Sequence, residues 1–351
     1  MSVEKFFHQV RTTVFLSLLP LTCIFIPATA KAANLNFDDI YVFGDSYSDT
    51  GNAYNASGSP SDPPYSQGRF SNGPLWVEDL ATQLGVTYNK NNNYAFVGAG
   101  TGFNNPYTPQ YQLTGVLGQI DRYKATKSAA DPNALYTVWA GTTDYLFTGY
   151  QDPSQPVNNL STAVQELANY GAKNILVVNL PDLGELPGVR GSGSANLDAV
   201  TSLHNSALAK TVNNLSQSLP SVHLTTLDVN SLFKDVIANQ DKYGFANVTD
   251  ACVDSKTSAV CSQPDQYFFY DGVHPTKVGH QQIANFALAT LEAKSQSVPE
   301  GSSNLAILAL GAIGVGALCQ RNLNHKLSSL SRRGNATQFT SVGVLNNLSG
   351  N

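Results

Sequence analysis

Asn174-Ile175-Leu176-Val177-Val178-Asn179-Leu180 decides the fold. Its apolar run does not alternate with polar residues, which marks a strand covered on both faces. Just upstream, Leu160, Val164 and Leu167 recur at helical spacing within Val157–Tyr170. The same succession of run and helix extends in both directions. Strands are predicted at Asp39–Gly44, Tyr94–Val97, Leu135–Gly141, Asn174–Leu180 and Val222–Leu227. Helices are predicted at Leu75–Leu84, Leu113–Thr126, Val157–Tyr170, Leu197–Leu219 and Pro275–Lys294. Strand and helix in turn predict an α/β domain with a five-stranded parallel sheet, spanning residues 34–298.

Only 13% of the 351 residues are charged, and the formal net charge is −5. About a quarter is usual for a soluble domain, so polarity here comes largely from uncharged side chains. The charge is unevenly placed. Residues 1–33 set Glu4 against Lys5, Arg11 and Lys31, and residues 300–351 set Glu300 against Arg321, Lys326, Arg332 and Arg333. Both ends are therefore basic and the middle carries −10. A pI of 5.6 excludes a basic nucleic-acid binder, and 16 Tyr with 16 Phe exclude a globally disordered chain.

Lys5 and Arg11 precede an apolar run, Val14–Ile26, which is followed by small residues up to Ala33. This reads as a signal peptide over residues 1–33, hence an exported protein, with an uncleaved N-terminal anchor as the alternative. At the other end Pro299-Glu300-Gly301 leads into the apolar run Leu305–Cys319 and then Arg321. That layout resembles a PEP-CTERM sorting signal over residues 299–351, which implies a membrane sorting protease as partner. A plain C-terminal anchor is the alternative. Of four cysteines, Cys252 and Cys261 fall in the middle region, and an even pair in an exported domain predicts a local disulfide.

In parallel α/β sheets, ligands sit beyond the carboxyl ends of the strands. After the first strand comes Gly44-Asp45-Ser46-Tyr47-Ser48-Asp49. Ser46 stands at a corner where a hydroxyl acts as a nucleophile or simply caps a helix. After the second comes Gly98-Ala99-Gly100-Thr101-Gly102-Phe103. A dinucleotide site fails there, because Phe103 replaces the third glycine and no acid follows at the right distance. Gly141-Thr142-Thr143-Asp144 follows the third strand, and Asp271-Gly272-Val273-His274 lies near the last helix. A carboxylate three residues before a histidine is placed to fix its tautomer and leave the other ring nitrogen as a base. Gly-x-Ser-x-Gly occurs nowhere, so an ordinary α/β-hydrolase elbow is excluded. No His/Cys/carboxylate grouping predicts a metal, and no cofactor is expected.

Gly44-Asp45-Ser46 with Asp49 and Gly51-Asn52, Tyr94–Ala99, Gly141–Asp144 and Asp271–His274 stand in the order of four blocks of the GDSL (SGNH) hydrolases. The chain resembles the lipase/phospholipase-like branch of that family over roughly residues 36–294. The resemblance implies a three-layer, flavodoxin-like fold and a serine esterase or lipase acting on acyl esters. It casts Ser46 as nucleophile, His274 as base and acid, and Asp271 as its orienting partner. The oxyanion hole would comprise the Ser46 and Gly98 N–H groups and the Thr143 side chain. Thr143 departs from the family, which has Asn there. Alternative readings are a carbohydrate O-deacetylase acting on envelope polysaccharide, or a catalytically weakened surface binding protein. His204, His223 and His280 are expected to be surface or packing residues, Trp76 and Trp139 core residues, and Asp182 and Glu185 loop carboxylates.

Overall fold

In the computed structural model, which describes residues 35–191 and 194–297, the apolar runs pair as expected for a parallel sheet. Strands β1 (Ile40–Gly44), β2 (Leu135–Trp139), β3 (Asn174–Val178) and β4 (His223–Leu227) lie side by side in chain order. All three pairings are parallel, with Val42 opposite Thr137 and Thr137 opposite Leu176. Two further short strands, β5 (Asn247–Ala251) and β6 (Tyr267–Phe269), pair separately beside the last helix.

The main helices in chain order are α1 (Asn52–Ser57), α2 (Trp76–Gln83), α3 (Val116–Thr126), α4 (Thr142–Thr148) and α5 (Ser154–Tyr170). After β3 come α6 (Ser194–Ser218), α7 (Val229–Ala238), α8 (Gln240–Tyr243) and α9 (Lys277–Ser297). Side chains alternate across a strand, and both faces of this sheet are covered. Ile40, Val42, Leu176 and Val178 join the apolar faces of α2, α7 and α9. Tyr41, Phe43, Ile175 and Val177 join those of α3, α5 and much of α6. The result is three layers, helix–sheet–helix. Trp76 and Trp139 are fully buried and meet edge to face at 5.6 Å.

The expected fifth strand is a correction. Tyr94–Val97 does run beside β1, with the Tyr94 and Phe96 N–H groups donating to Val42 O and Gly44 O at 2.8 and 3.0 Å. Only one bridge pair forms, Val42 with Asn93, so the main sheet has four strands. The segment's other backbone groups are held by side chains. Asn52 Nδ2 donates to Asn93 O and Ala95 O, Asn93 Oδ1 accepts from Ala95 N–H, and Asp49 Oδ2 accepts from Val97 N–H. A backbone already satisfied by side chains has little left for a ladder.

The expected signal peptide (1–33) and C-terminal sorting segment (299–351), with Pro299-Glu300 and Leu305–Cys319, lie outside the described residues. Among the described residues no helix is long and apolar enough to cross a membrane.

Candidate active site

The site begins where β1 ends. A Cβ on Gly44 would stand 2.3 Å from Trp139 O of β2, so only glycine lets the chain leave the sheet here. The turn that follows is held by Asp45 O, which accepts from the N–H groups of Ser48 and Asp49 at 3.1 and 3.0 Å. Tyr47 is fully buried, stacks on Trp139 at 4.6 Å, and donates its hydroxyl to Val273 O at 2.9 Å. It thereby fastens the serine turn to the loop carrying His274.

Ser46 Oγ lies 2.7 Å from His274 Nε2. On the far side of the ring, Nδ1 lies 2.9 and 2.8 Å from Asp271 Oδ1 and Oδ2. A carboxylate accepts only, so Nδ1 carries the proton and Nε2 is free to accept from the serine hydroxyl. Asp271 is fixed in turn by the N–H groups of Val273 and His274, at 2.8 and 2.7 Å, and by the Tyr65 hydroxyl at 2.9 Å. Burial alone would raise the Asp271 pKa, but the charge of His274 and the hydrogen bonds from His274 and Val273 hold it below the usual carboxylate value. Asp271 is thus ionised across the neutral range.

Beside Ser46 stands Gly98, at φ +75°, where a Cβ would fall 2.5 Å from Tyr107 Cβ and 2.6 Å from Asn105 Oδ1. Two buried carboxylates anchor this corner. Asp49 accepts from Gly51, Asn52, Ala53 and Val97 N–H groups, which binds the serine turn to the residue before Gly98. Asp144 accepts from the Thr101 N–H and hydroxyl, which binds the start of α4 to the segment after Gly98. Among the described residues, the N–H groups of Ser46 and Gly98 and the Thr143 hydroxyl have no protein acceptor. Thr143 is buried, and Ser46, Gly98 and Thr143 line the same cleft.

That cleft measures about 360 Å³. Phe70, Val97, Leu146, Phe147, Val253 and Val273 give it a mainly apolar wall around Ser46 and His274. Part of the rim is the segment between Cys252 and Cys261, which are joined by a disulfide. Among the described residues no three His, Cys, Asp or Glu side chains are grouped to hold a metal ion.

A family profile for GDSL-like lipase/acylhydrolases matches residues 40–287. The chain belongs to the GDSL-like lipase/acylhydrolase family. This GDSL enzyme is a carboxylic ester hydrolase, as its relatives concur. It is 33% identical to the phosphatidylcholine-sterol acyltransferase of Aeromonas hydrophila, over 68% of this chain and 71% of that one. It is 27% identical to the thermolabile hemolysin of Vibrio parahaemolyticus, over 76% of this chain and 64% of that one. It is 26% identical to a GDSL esterase/lipase of Arabidopsis thaliana, over 79% of this chain and 95% of that one.

The remaining residues singled out in the sequence of this GDSL enzyme lie elsewhere. His204 is buried with Nδ1 2.7 Å from the Tyr145 hydroxyl, and burial pushes its pKa down to about 4. His280 is buried within α9, and burial, reinforced by the charge of His274, pushes it down to about 3. Both imidazoles are neutral at pH 7. His223 is exposed on β4. Asp182 pairs with Lys234 and Glu185 with Arg190, and neither lines the cleft. Sequence reasoning missed Tyr65, which is 206 residues from its partner Asp271. It also missed the anchoring roles of Asp49, Asn52, Asn93 and Asp144, although their clustering beside glycines was a usable signal.

Asp45, directly before Ser46, supplies a pH prediction. Burial pushes its pKa up to about 7, against the opposing pull of the Tyr47 N–H and the charge of His274. Its Oδ2 is buried without a protein partner among the described residues. A carboxyl whose folded pKa is raised contributes stability below its unfolded value, near 3.8, and loses it as pH rises through the folded value. Asp45→Asn removes that dependence. Its stability relative to the parent should therefore improve from pH 5 to pH 8, by roughly 2 kcal/mol on the scale of ~1.4 kcal/mol per pKa unit. Urea denaturation of both proteins at the two pH values checks this.

Proposed function

We propose that the protein is an exported esterase/lipase that cleaves acyl esters through an acyl-enzyme on Ser46. The observation carrying this is the unbroken Ser46–His274–Asp271 hydrogen-bonded chain opening on an apolar cleft. As Ser46 Oγ attacks the ester carbonyl, its proton passes to His274 Nε2, and Asp271 stabilises the resulting imidazolium. The carbonyl oxygen becomes an oxyanion that receives the Ser46 and Gly98 N–H groups and the Thr143 hydroxyl. Collapse expels the alcohol, which takes the proton from His274. Water then repeats the sequence, with His274 as base, and releases the acid.

The apolar wall favours an acyl chain longer than acetyl, because it supplies apolar contact well beyond the carbonyl. The relatives named as a phosphatidylcholine-sterol acyltransferase and a hemolysin support a lipid ester as substrate. The basic, apolar N-terminus supports export, and the Cys252–Cys261 disulfide fits an oxidising compartment. In the same reading, residues 299–351 hand the chain to a membrane sorting protease.

A series of p-nitrophenyl esters from acetate to palmitate tests the substrate class. The expected result is kcat/KM rising with chain length beyond acetate. A maximum at acetate, with acetate released from an acetylated polysaccharide, would favour the deacetylase reading.

Thr143→Asn tests the third oxyanion donor. An amide reaches farther than a threonine hydroxyl, and one well-placed donor is worth ~10²–10³ in rate. The expected kcat is equal to the parent's or higher. A large loss would show that this cleft is built around the threonine.

A further inference from the structure

We propose that the aromatic ridge beside the cleft is a docking surface for a zwitterionic phospholipid layer; this rests on the lipid-ester reading and names what delivers the substrate. Phe103, Tyr107, Phe147 and Tyr150 are 45, 50, 53 and 43% exposed, half of the exposed large hydrophobic residues among those described. They are not scattered. Tyr107 and Phe147 meet at 4.8 Å between ring centroids and line the catalytic cleft. Phe103 and Tyr150 line the adjoining depression, which shares the same two chain segments, 103–107 and 143–150. The four rings therefore stand on the two segments that line both depressions, and the Tyr107–Phe147 pair opens onto the cleft of Ser46.

The charge pattern selects the occupant. Residues 91–120 contain no Asp, Glu, Lys or Arg. The one charged residue in 142–151 is Asp144, which is buried and committed to Thr101. Anionic lipid is attracted by clusters of Lys and Arg beside the surface, and this ridge offers none. The exposed carboxylate next along the chain, Asp152, two residues past Tyr150, accepts from the Ser154 N–H and hydroxyl and would repel an anionic layer rather than attract it. Phe and Tyr side chains free of neighbouring Lys and Arg suit the headgroup level of a zwitterionic bilayer, where aromatic rings concentrate. A contiguous apolar surface at a pocket mouth also exceeds the singly scattered apolar residues that need no explanation. The one charged residue that the disulfide-closed segment contributes to the cleft lining is Asp254, which belongs to neither of the two ridge segments.

The two native tryptophans, Trp76 and Trp139, are fully buried, so a new surface tryptophan reports on its own position. In full-length protein carrying Ser46→Ala to prevent turnover, Phe103→Trp and Tyr150→Trp are each mixed with dibromo-phosphatidylcholine vesicles. Ser128→Trp serves as control, since Ser128 is exposed just before β2, at the end of the sheet opposite Ser46. Emission from Trp at 103 and 150 should fall at least about twofold, because an interfacial side chain sits ~5–10 Å into the headgroup/acyl boundary. Emission from position 128 should be unchanged. Unquenched emission at 103 and 150, or equal quenching at all three positions, overturns the proposal. Attachment to vesicles through a terminal apolar segment alone gives one of those outcomes. If quenching is absent while the parent still hydrolyses long-chain esters in detergent, the docking inference fails and the esterase reading stands. Inhibition of the quenching by a soluble neutral oligosaccharide would instead assign the depression to a glycan and overturn the lipid assignment.

Discussion

Ser46→Ala lowers kcat by roughly 10⁴- to 10⁶-fold on p-nitrophenyl acyl esters, the range expected when a serine nucleophile is removed. The hydroxyl makes one hydrogen bond among the described residues, to His274 Nε2, and it is partly exposed in the cleft. Its loss therefore removes the attacking atom without opening a core cavity. The thermal midpoint should stay within a few degrees of the parent's, which separates lost chemistry from lost fold. KM should change far less than kcat, because the apolar wall of the cleft is untouched. Steady-state kinetics with a thermal melt on the same preparation gives all three numbers. Full activity in this variant would remove Ser46 from the mechanism.

Asp271→Asn carries the second largest expected effect, a fall in kcat of about 10⁴-fold. Asp271 receives Val273 N–H, His274 N–H, His274 Nδ1 and the Tyr65 hydroxyl. An asparagine can present its oxygen to the backbone donors, but its NH₂ then faces the imidazole or Tyr65. Wherever it faces Nδ1, the ring proton moves to Nε2, and the histidine can no longer accept from Ser46. Geometry survives while the base is lost. The double variant with Ser46→Ala should be no slower than Ser46→Ala alone, since the two residues act as one unit. A loss below about tenfold in Asp271→Asn would show that His274 is oriented by another group.

Legibility in the sequence tracked how local each interaction is. The runs that became β1–β4 and the helices that became α2, α3, α5, α6 and α9 were readable, because continuous apolar strands and helical spacing are local patterns. Tyr94–Val97 carried the same apolar signal and failed to become a ladder strand. The cause lies in Asn52, whose amide takes the Ala95 carbonyl and that of Asn93 just before the segment, from more than 40 residues away. Short α4 and α8, and the polar strand Asn247–Ala251, carry too few apolar positions for any period to register.

The site divides in the same way. Asp271 and His274 are three residues apart, so their pairing can be read locally, and strand ends are where Ser46, Gly98 and Thr143 were to be sought. Tyr65 was not readable. Nothing in its neighbourhood announces a hydroxyl aimed at a carboxylate on a distant loop. The buried anchors Asp49 and Asp144 were visible only as acids next to glycines, and their targets, the backbone beside Gly98, emerge once the loops are packed. Low charge content is not spread evenly along the chain. Its sharpest expression is the uncharged stretch 91–120 beside the cleft.

In the proposed mechanism His274 and Asp271 activate Ser46. Labelling with a fluorophosphonate probe, followed by peptide mass spectrometry, tests it most directly, because the probe reacts only with an activated serine. One adduct is expected, on Ser46, lost in Ser46→Ala and strongly slowed in Asp271→Asn. No adduct on the folded parent protein, or an adduct on another serine, would contradict it.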